Sequence, residues 1–221
     1  MKRYFLSMNK ILKYNDIIGN DYSDSIELYS SREECMKYAC QNLKAYACGI
    51  ADMQYIKEYI TDKLLSRPEI DFKMKDKNVS CIITKNDYNL RMEISQKLIV
   101  SGQPLHISII YHFLINEIEE ENVAYAIAAK HDSETSSYNE IFDDKIYDSL
   151  KDVLEMIDKL HQAKINNICE YIICIVDKKK VEQLGLREYE KQKRKCKSDH
   201  ITWGCIKTGG IFSRNKMGEV L

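Results

Sequence analysis

The residues best equipped for chemistry are 8 cysteines and 5 histidines in a chain of 221 residues. Cys196, His200 and Cys205 lie close together, with Cys169 and Cys174 upstream of them. A structural zinc site takes four converging Cys or His ligands and usually carries a tight Cys knuckle. The chain has no Cys-x-x-Cys, and the expectation is no metal and no cofactor. Alternation over Ile201–Ile206 predicts a strand that turns Cys205 and Trp203 into the core beside an exposed His200. Thiol catalysis needs a base within reach of an activated sulfur. Cys205 with His200, or another cysteine with His131 or His161, supplies the residue types but no surrounding signature, so the cysteines read as packing thiols. His106 and His112 share one face of a strand over Leu105–Phe113 and stand about 20 Å apart along it. That is too far to share a metal, and both are expected partly exposed, on a sheet edge or under a loop.

Phosphate chemistry has equally little to build on. There is no Gly-x-x-x-x-Gly-Lys-Ser/Thr and no Gly-x-Gly-x-x-Gly, the loops whose backbone N–H groups cradle phosphates. Thr208-Gly209-Gly210, between Lys207 and Arg214, reads as a turn with some capacity for an anion. Charge is a stronger signal. The net charge is -1, yet residues 117–158 hold 13 acidic and 3 basic side chains, and residues 178–216 hold 12 basic and 4 acidic ones. Lys178, Lys179, Lys180, Arg187, Lys191, Lys193, Arg194, Lys195 and Lys197 form the candidate contact set for a partner or for nucleic acid, with Tyr189 or Trp203 as a stacking surface. Real nucleic-acid readers are usually net basic, which favours a protein partner steered by complementary charge.

The elements that must position these residues follow from periodicity. Residues 2–8 read as a strand and Asn15–Ser25 as a loop. Ser31-Arg32-Glu33-Glu34 is a capping box. It opens a helix with the stripe Cys35, Tyr38, Ala39, Leu43, Tyr46 and Ala47, ending near Gly49, and a second helix runs from Asp52 through Ile60 and Leu64 to Pro68. From Glu69 the period falls to two, predicting an antiparallel meander through Ile70–Met74, Val79–Thr84 and Leu90–Ile94. Residues 107–115 fit a buried strand better than a helix because of their β-branched content, and Val123–Ala129 is a further strand. A long amphipathic helix is predicted over Asp144–Ala163, with Ile146, Leu150, Val153, Leu154, Ile157 and Leu160 on one face. Ile168–Val176 reads as a central strand covered on both faces. A short basic helix with Val181, Leu184 and Tyr189 follows, interrupted at Gly185. The fold class is therefore α+β: N-terminal helices, a central meander, and a C-terminal αβαβ segment packed as one mixed sheet with helices. One domain over 1–221, frayed from about 212, suits a length with no Pro- or Gly-rich linker.

The order of elements, with Ile168–Val176 leading through a short helix to Val181-Glu182-Gln183-Leu184-Gly185-Leu186-Arg187-Glu188-Tyr189, resembles that of GNAT-type acyltransferases. The resemblance implies acyl transfer from acyl-CoA. The family's pyrophosphate loop, Arg/Gln-x-x-Gly-x-Gly/Ala, would fall between Lys130 and Lys145, an interval without glycine, so no functional residue carries over.

No apolar run reaches the ~18 residues of a spanning helix, and the N-terminal stretch broken at Ser7 and Asn9 is no signal-peptide core. Reduced cysteines place the chain in the cytoplasm. Abundant Ile, Lys, Asn and Tyr point to an AT-rich genome, viral or mobile-element. The expectation is a non-catalytic interaction or inhibitor protein that binds a macromolecular partner through segregated acidic and basic surfaces. A degenerate acyltransferase is the alternative, and a nucleic-acid-binding regulator the third reading.

Overall fold

Strands dominate the computed structural model, which describes residues 1–15, 17–49, 58–76, 78–132, 137–163, 165, 168 and 170–194. Six of them make the larger sheet: β1 (Lys2–Tyr14), β2 (Ile17–Asp24), β3 (Ile70–Lys75), β4 (Val79–Lys85), β5 (Asn89–Val100) and β6 (Gln103–Glu119). Their spatial order is β2-β1-β6-β5-β4-β3, every neighbouring pair antiparallel. A smaller antiparallel sheet has the order β8-β7-β9, from β7 (Val123–Asp132), β8 (Ser137–Ile141) and β9 (Glu170–Asp177). The helices are α1 (Arg32–Gly49), α2 (Asp62–Leu65), α3 (Leu150–Ala163), α4 (Lys178–Leu184) and α5 (Leu186–Arg194). The class is α+β, with two wholly antiparallel sheets among the described residues where the sequence predicted one mixed sheet.

Helix α1 covers one face of the larger sheet. Cys35, Ala39, Leu43 and Ala47 recur every four residues and are buried against Leu90, Met92, Ile94, Tyr111 and Phe113, the stripe that periodicity predicts. Tyr46 stacks on Tyr111 with ring centroids 4.8 Å apart. The predicted cap forms: Ser31 Oγ accepts from the Glu34 backbone N–H at 3.1 Å. The Glu34 carboxylate reaches one residue further back than predicted, to the Ser30 N–H and hydroxyl, and those donors lower its pKa.

In the smaller sheet the alanines of β7 have a packing reason. Ala124, Ala126 and Ala128 lie on the face under Leu186 and Tyr189 of α5, where small residues let a helix carrying a large ring approach closely. Ile127 and Ile173 sit in a cluster with Val153 and Ile157 of α3. Gly185, at φ 79°, turns the chain between α4 and α5, a conformation that favours glycine. The two sheets meet through Phe5, Ile118 and Ile175.

Several expectations are corrected. Asn15–Ser25 is largely strand β2: as an edge strand it tolerates polar residues because its ladder with β1 supplies the backbone bonds. Strand β1 runs past the predicted end at Met8, since Asn9 is buried within the sheet. Residues 51–57 of the predicted second helix lie outside the described residues; its remainder is a turn and then α2, capped by Thr61. The amphipathic helix begins at Leu150, because Ser149 caps it through the Asp152 N–H and Tyr147 bridges to Tyr125. Among the described residues β9 pairs with β7 alone, at the edge of its sheet, although Cys174, Ile175 and Val176 are fully buried. His112 is fully buried in β6, which is an interior strand, while His106 is exposed.

Candidate functional site

Strands β5 and β6 outrun their neighbours. The β1 ladder with β6 stops at Tyr14↔Ile107, and the β4 ladder with β5 stops at Val79↔Gln96. Lys97–Val100 and Gln103–His106 therefore continue as a two-stranded ribbon beyond both flanking strands, tied at its base by the Lys97 N–H donating to the Asn78 carbonyl at 2.8 Å and by Asn15, whose N–H donates to the His106 carbonyl at 2.9 Å and whose Oδ1 accepts from the His106 N–H at 3.0 Å. Ser101 and Gly102 close it with φ 51° and 80°. Two successive positive φ values in a two-residue loop are the geometry whose twist suits a hairpin. At the tip, Ile99 is 81% and Val100 53% exposed. Register places Lys97, Ile99, Pro104 and His106 on one face of the ribbon and Leu98, Val100 and Leu105 on the other. Apolar side chains gathered at a ribbon tip are costly to leave in water, whereas its outer edges are largely blunted, since Lys97 and His106 bond to Asn78 and Asn15 and Pro104 has no N–H to offer.

A second constellation lies where α5 docks on the edge of β1 and β2. The Lys193 ammonium donates to Asp24 Oδ2 at 2.7 Å and to the Ile175 carbonyl at 2.9 Å, and is ion-paired with Glu190 Oε1 at 2.5 Å. Asp24 also accepts from the Ser7 hydroxyl at 2.5 Å, the Tyr22 hydroxyl at 3.0 Å and the Ile175 N–H at 3.0 Å. The rings of Phe5, Tyr22 and Tyr189 face the ammonium at 5.6–5.8 Å, a cation–π setting. Burial alone would lower the Lys193 pKa, but the charges of Asp24 and Glu190 outweigh it and the pKa is raised well above its usual value. Asp24, Cys174 and Glu190 present ligand atoms within 4.8 Å of one another. The Lys193 ammonium is the cation that balances these carboxylates, and the cluster serves to lock α5 onto both sheets.

A groove of about 980 Å³ runs between α1, α2 and the β4–β5 turn. Three of its cations are engaged within the protein: Arg32 with Asp87 at 3.5 Å, Lys44 with Asp62 at 2.8 Å, and Lys85 donating to the Leu65 and Arg67 carbonyls. Cys40 faces the groove and its Sγ contacts the Leu65 carbonyl; burial raises its pKa against the opposing charge of Lys85. Burial also pushes the Cys35 and Cys81 thiols up to about 12. All three are held as neutral thiols, a state suited to packing and opposed to nucleophilic attack. His161 packs edge-on against Tyr171.

The predicted basic contact set divides. Lys193 is not a surface residue, its side chain being 3% exposed. Lys178 pairs with Asp148 at 2.6 Å, Arg187 with Asp144 at 2.9 Å, Lys180 with Asp177 and Lys191 with Glu188. Two of these pairs, Lys178–Asp148 and Arg187–Asp144, join the acidic and basic segments, and the other two are local to the helices. Lys179 lies on α4 and Arg194 ends α5. Lys195, Lys197, Cys169, Cys196, His200, Trp203, Cys205, the Thr208-Gly209-Gly210 turn and the tail from 212 lie outside the described residues. The exposed ribbon was missed, although Ser101-Gly102 between Leu98-Ile99-Val100 and Pro104-Leu105 is a turn dipeptide flanked by apolar residues.

No family model matches the chain, and neither a curated protein nor a solved structure is significantly similar to it. Fold and site therefore stand on their own geometry.

Proposed function

We propose that the chain is a non-catalytic interaction protein that grips a protein partner with the β5–β6 ribbon. The observation that carries this reading is the pair Ile99 and Val100, exposed at the tip of a hairpin that extends past both of its neighbouring strands. Such a ribbon offers a partner apolar side chains that gain by leaving water. Two of the predicted contact cations, Lys178 and Arg187, are paired with Asp148 and Asp144 within the chain, and Lys193 is buried, which favours this apolar element over the charged segments as the contact. The neutral state of the Cys35, Cys40 and Cys81 thiols fits a binding role.

The test compares affinity capture by the wild type and by the Ile99→Asp/Val100→Asp variant, each at low and at moderate salt, with circular dichroism to establish equal folding. The expected result is a captured protein that persists at moderate salt and is lost with the variant. Capture unchanged by the two substitutions, or abolished by salt alone, refutes the assignment to the ribbon.

A further inference from the structure

The ribbon's Lys97–His106 face continues into a polar corner of the larger sheet. Register aligns Lys13 of β1 with Ser108 of β6, Ser108 with Ser95 of β5, Ser95 with Ser80 of β4, and Ser80 with Lys75 of β3. Cross-strand partners point to the same side of a sheet, so five adjacent strands present the row Lys-Ser-Ser-Ser-Lys on one face. On a flat sheet four strand spacings would set Lys13 and Lys75 about 19 Å apart. Both nevertheless line one cavity of about 250 Å³ together with all three serines, Lys97 and His106. The cavity walls carry three lysines against a single acid, Asp76. Ser95 donates to Ser108 Oγ at 3.0 Å. None of this row belongs to the apolar core, which packs on the opposite face.

We propose that this cavity binds a phosphate group. The Ser95 and Ser108 hydroxyls, 3.0 Å apart, with Ser80 on the next strand and Lys13, Lys75 and Lys97 in the same lining, suit a compact dianion with several acceptor oxygens. The volume lies below the roughly 300–1,000 Å³ of drug-sized ligand sites, which fits a phosphate or phosphomonoester group. This site is independent of the ribbon's apolar tip: either can be removed without the other.

The experiment titrates the full chain with inorganic phosphate, against chloride at matched ionic strength, following backbone amide shifts by NMR. A parallel titration uses O-phosphoserine. Shifts confined to Lys13, Ser80, Ser95, Lys97 and Ser108 are expected, with affinity reduced about tenfold (about 1.4 kcal/mol) in Ser108→Ala. Lys13→Gln, a surface change, should act in the same direction, and Lys37→Gln on α1 should leave binding unchanged. Tighter binding of phosphoserine assigns the group to a phosphorylated side chain, and equal binding assigns it to the free anion. Shifts spread over lysines generally, equal responses to chloride, or unchanged affinity in both Ser108→Ala and Lys13→Gln overturn the proposal. Equal amide spectra of the variants away from the site show that they remain folded.

Discussion

Replacing Lys193 by Met keeps a side chain of similar length against Phe5, Tyr22 and Tyr189 but removes the ammonium. The Asp24 and Glu190 carboxylates, both almost wholly buried, then lose their shared cation. Asp24 keeps the donors Ser7, Tyr22 and the Ile175 N–H, which moderates the loss, whereas breaking a buried pair usually costs about 3–5 kcal/mol. We expect about 3 kcal/mol, a large share of the ~5–15 kcal/mol that stabilises a domain. Urea unfolding followed by far-UV circular dichroism reads it as a lower midpoint at unchanged slope. Asp24→Asn should be destabilising in its own right. The double variant should cost less than the sum of the two by more than ~1 kcal/mol, since contacting charges couple. The pH dependence follows from the raised Lys193 pKa: the pair's contribution is fully present below 10.5 and is lost only as pH rises through the higher folded-state value. A cost under ~1 kcal/mol for Lys193→Met, or strict additivity with Asp24→Asn, would refute the lock.

Three further outcomes are expected. Cys35 and Cys81 titrate at about 12 in the folded chain against an ordinary 9.0, so the unfolded state loses these protons first and stability should fall as pH rises from about 9 towards 12; a Cys35→Ala/Cys81→Ala variant should show a shallower fall, and an unchanged pH profile would contradict the burial of these thiols. Peptide mapping after brief iodoacetamide treatment should find Cys35, Cys81 and Cys174, all buried, unmodified in the folded chain and modified in urea. Gly102→Ala meets open space but a φ of +80°, so its cost is about 1 kcal/mol of backbone strain; amides of the ribbon should exchange about fivefold faster, and unchanged exchange would contradict the positive-φ turn.

The elements legible in the sequence were those whose side chains answer to one surface. The Cys35–Ala47 stripe and the alternation of Leu90, Met92 and Ile94 face the same core, and both are where periodicity placed them. What escaped was set by tertiary context. Polar β2 is a strand because β1 is there to pair with it, and no local pattern in Gly19-Asn20-Asp21 says so. The helix start at Leu150 rests in part on Tyr147 being held by Tyr125 across the chain, beside a local signal, the Ser149 cap on the Asp152 N–H, that the sequence did carry. Lys193 reads as one of a run of surface lysines, since nothing nearby in sequence shows that Asp24, 169 residues away, lies beneath it. The phosphate row was illegible for the same reason: Lys13, Ser80, Ser95 and Ser108 become neighbours only through register.

The most direct test of the ribbon as the gripping element is site-specific photo-crosslinking in lysate of the source cells, with the probe placed at position 99 and, as a control, at position 154, where Leu154 is an exposed apolar residue on α3. The account predicts a discrete protein adduct from position 99 that unlabelled wild-type chain competes away and Ile99→Asp/Val100→Asp chain does not, with no such adduct from position 154. Equal adducts from both positions, or none from position 99, would contradict it.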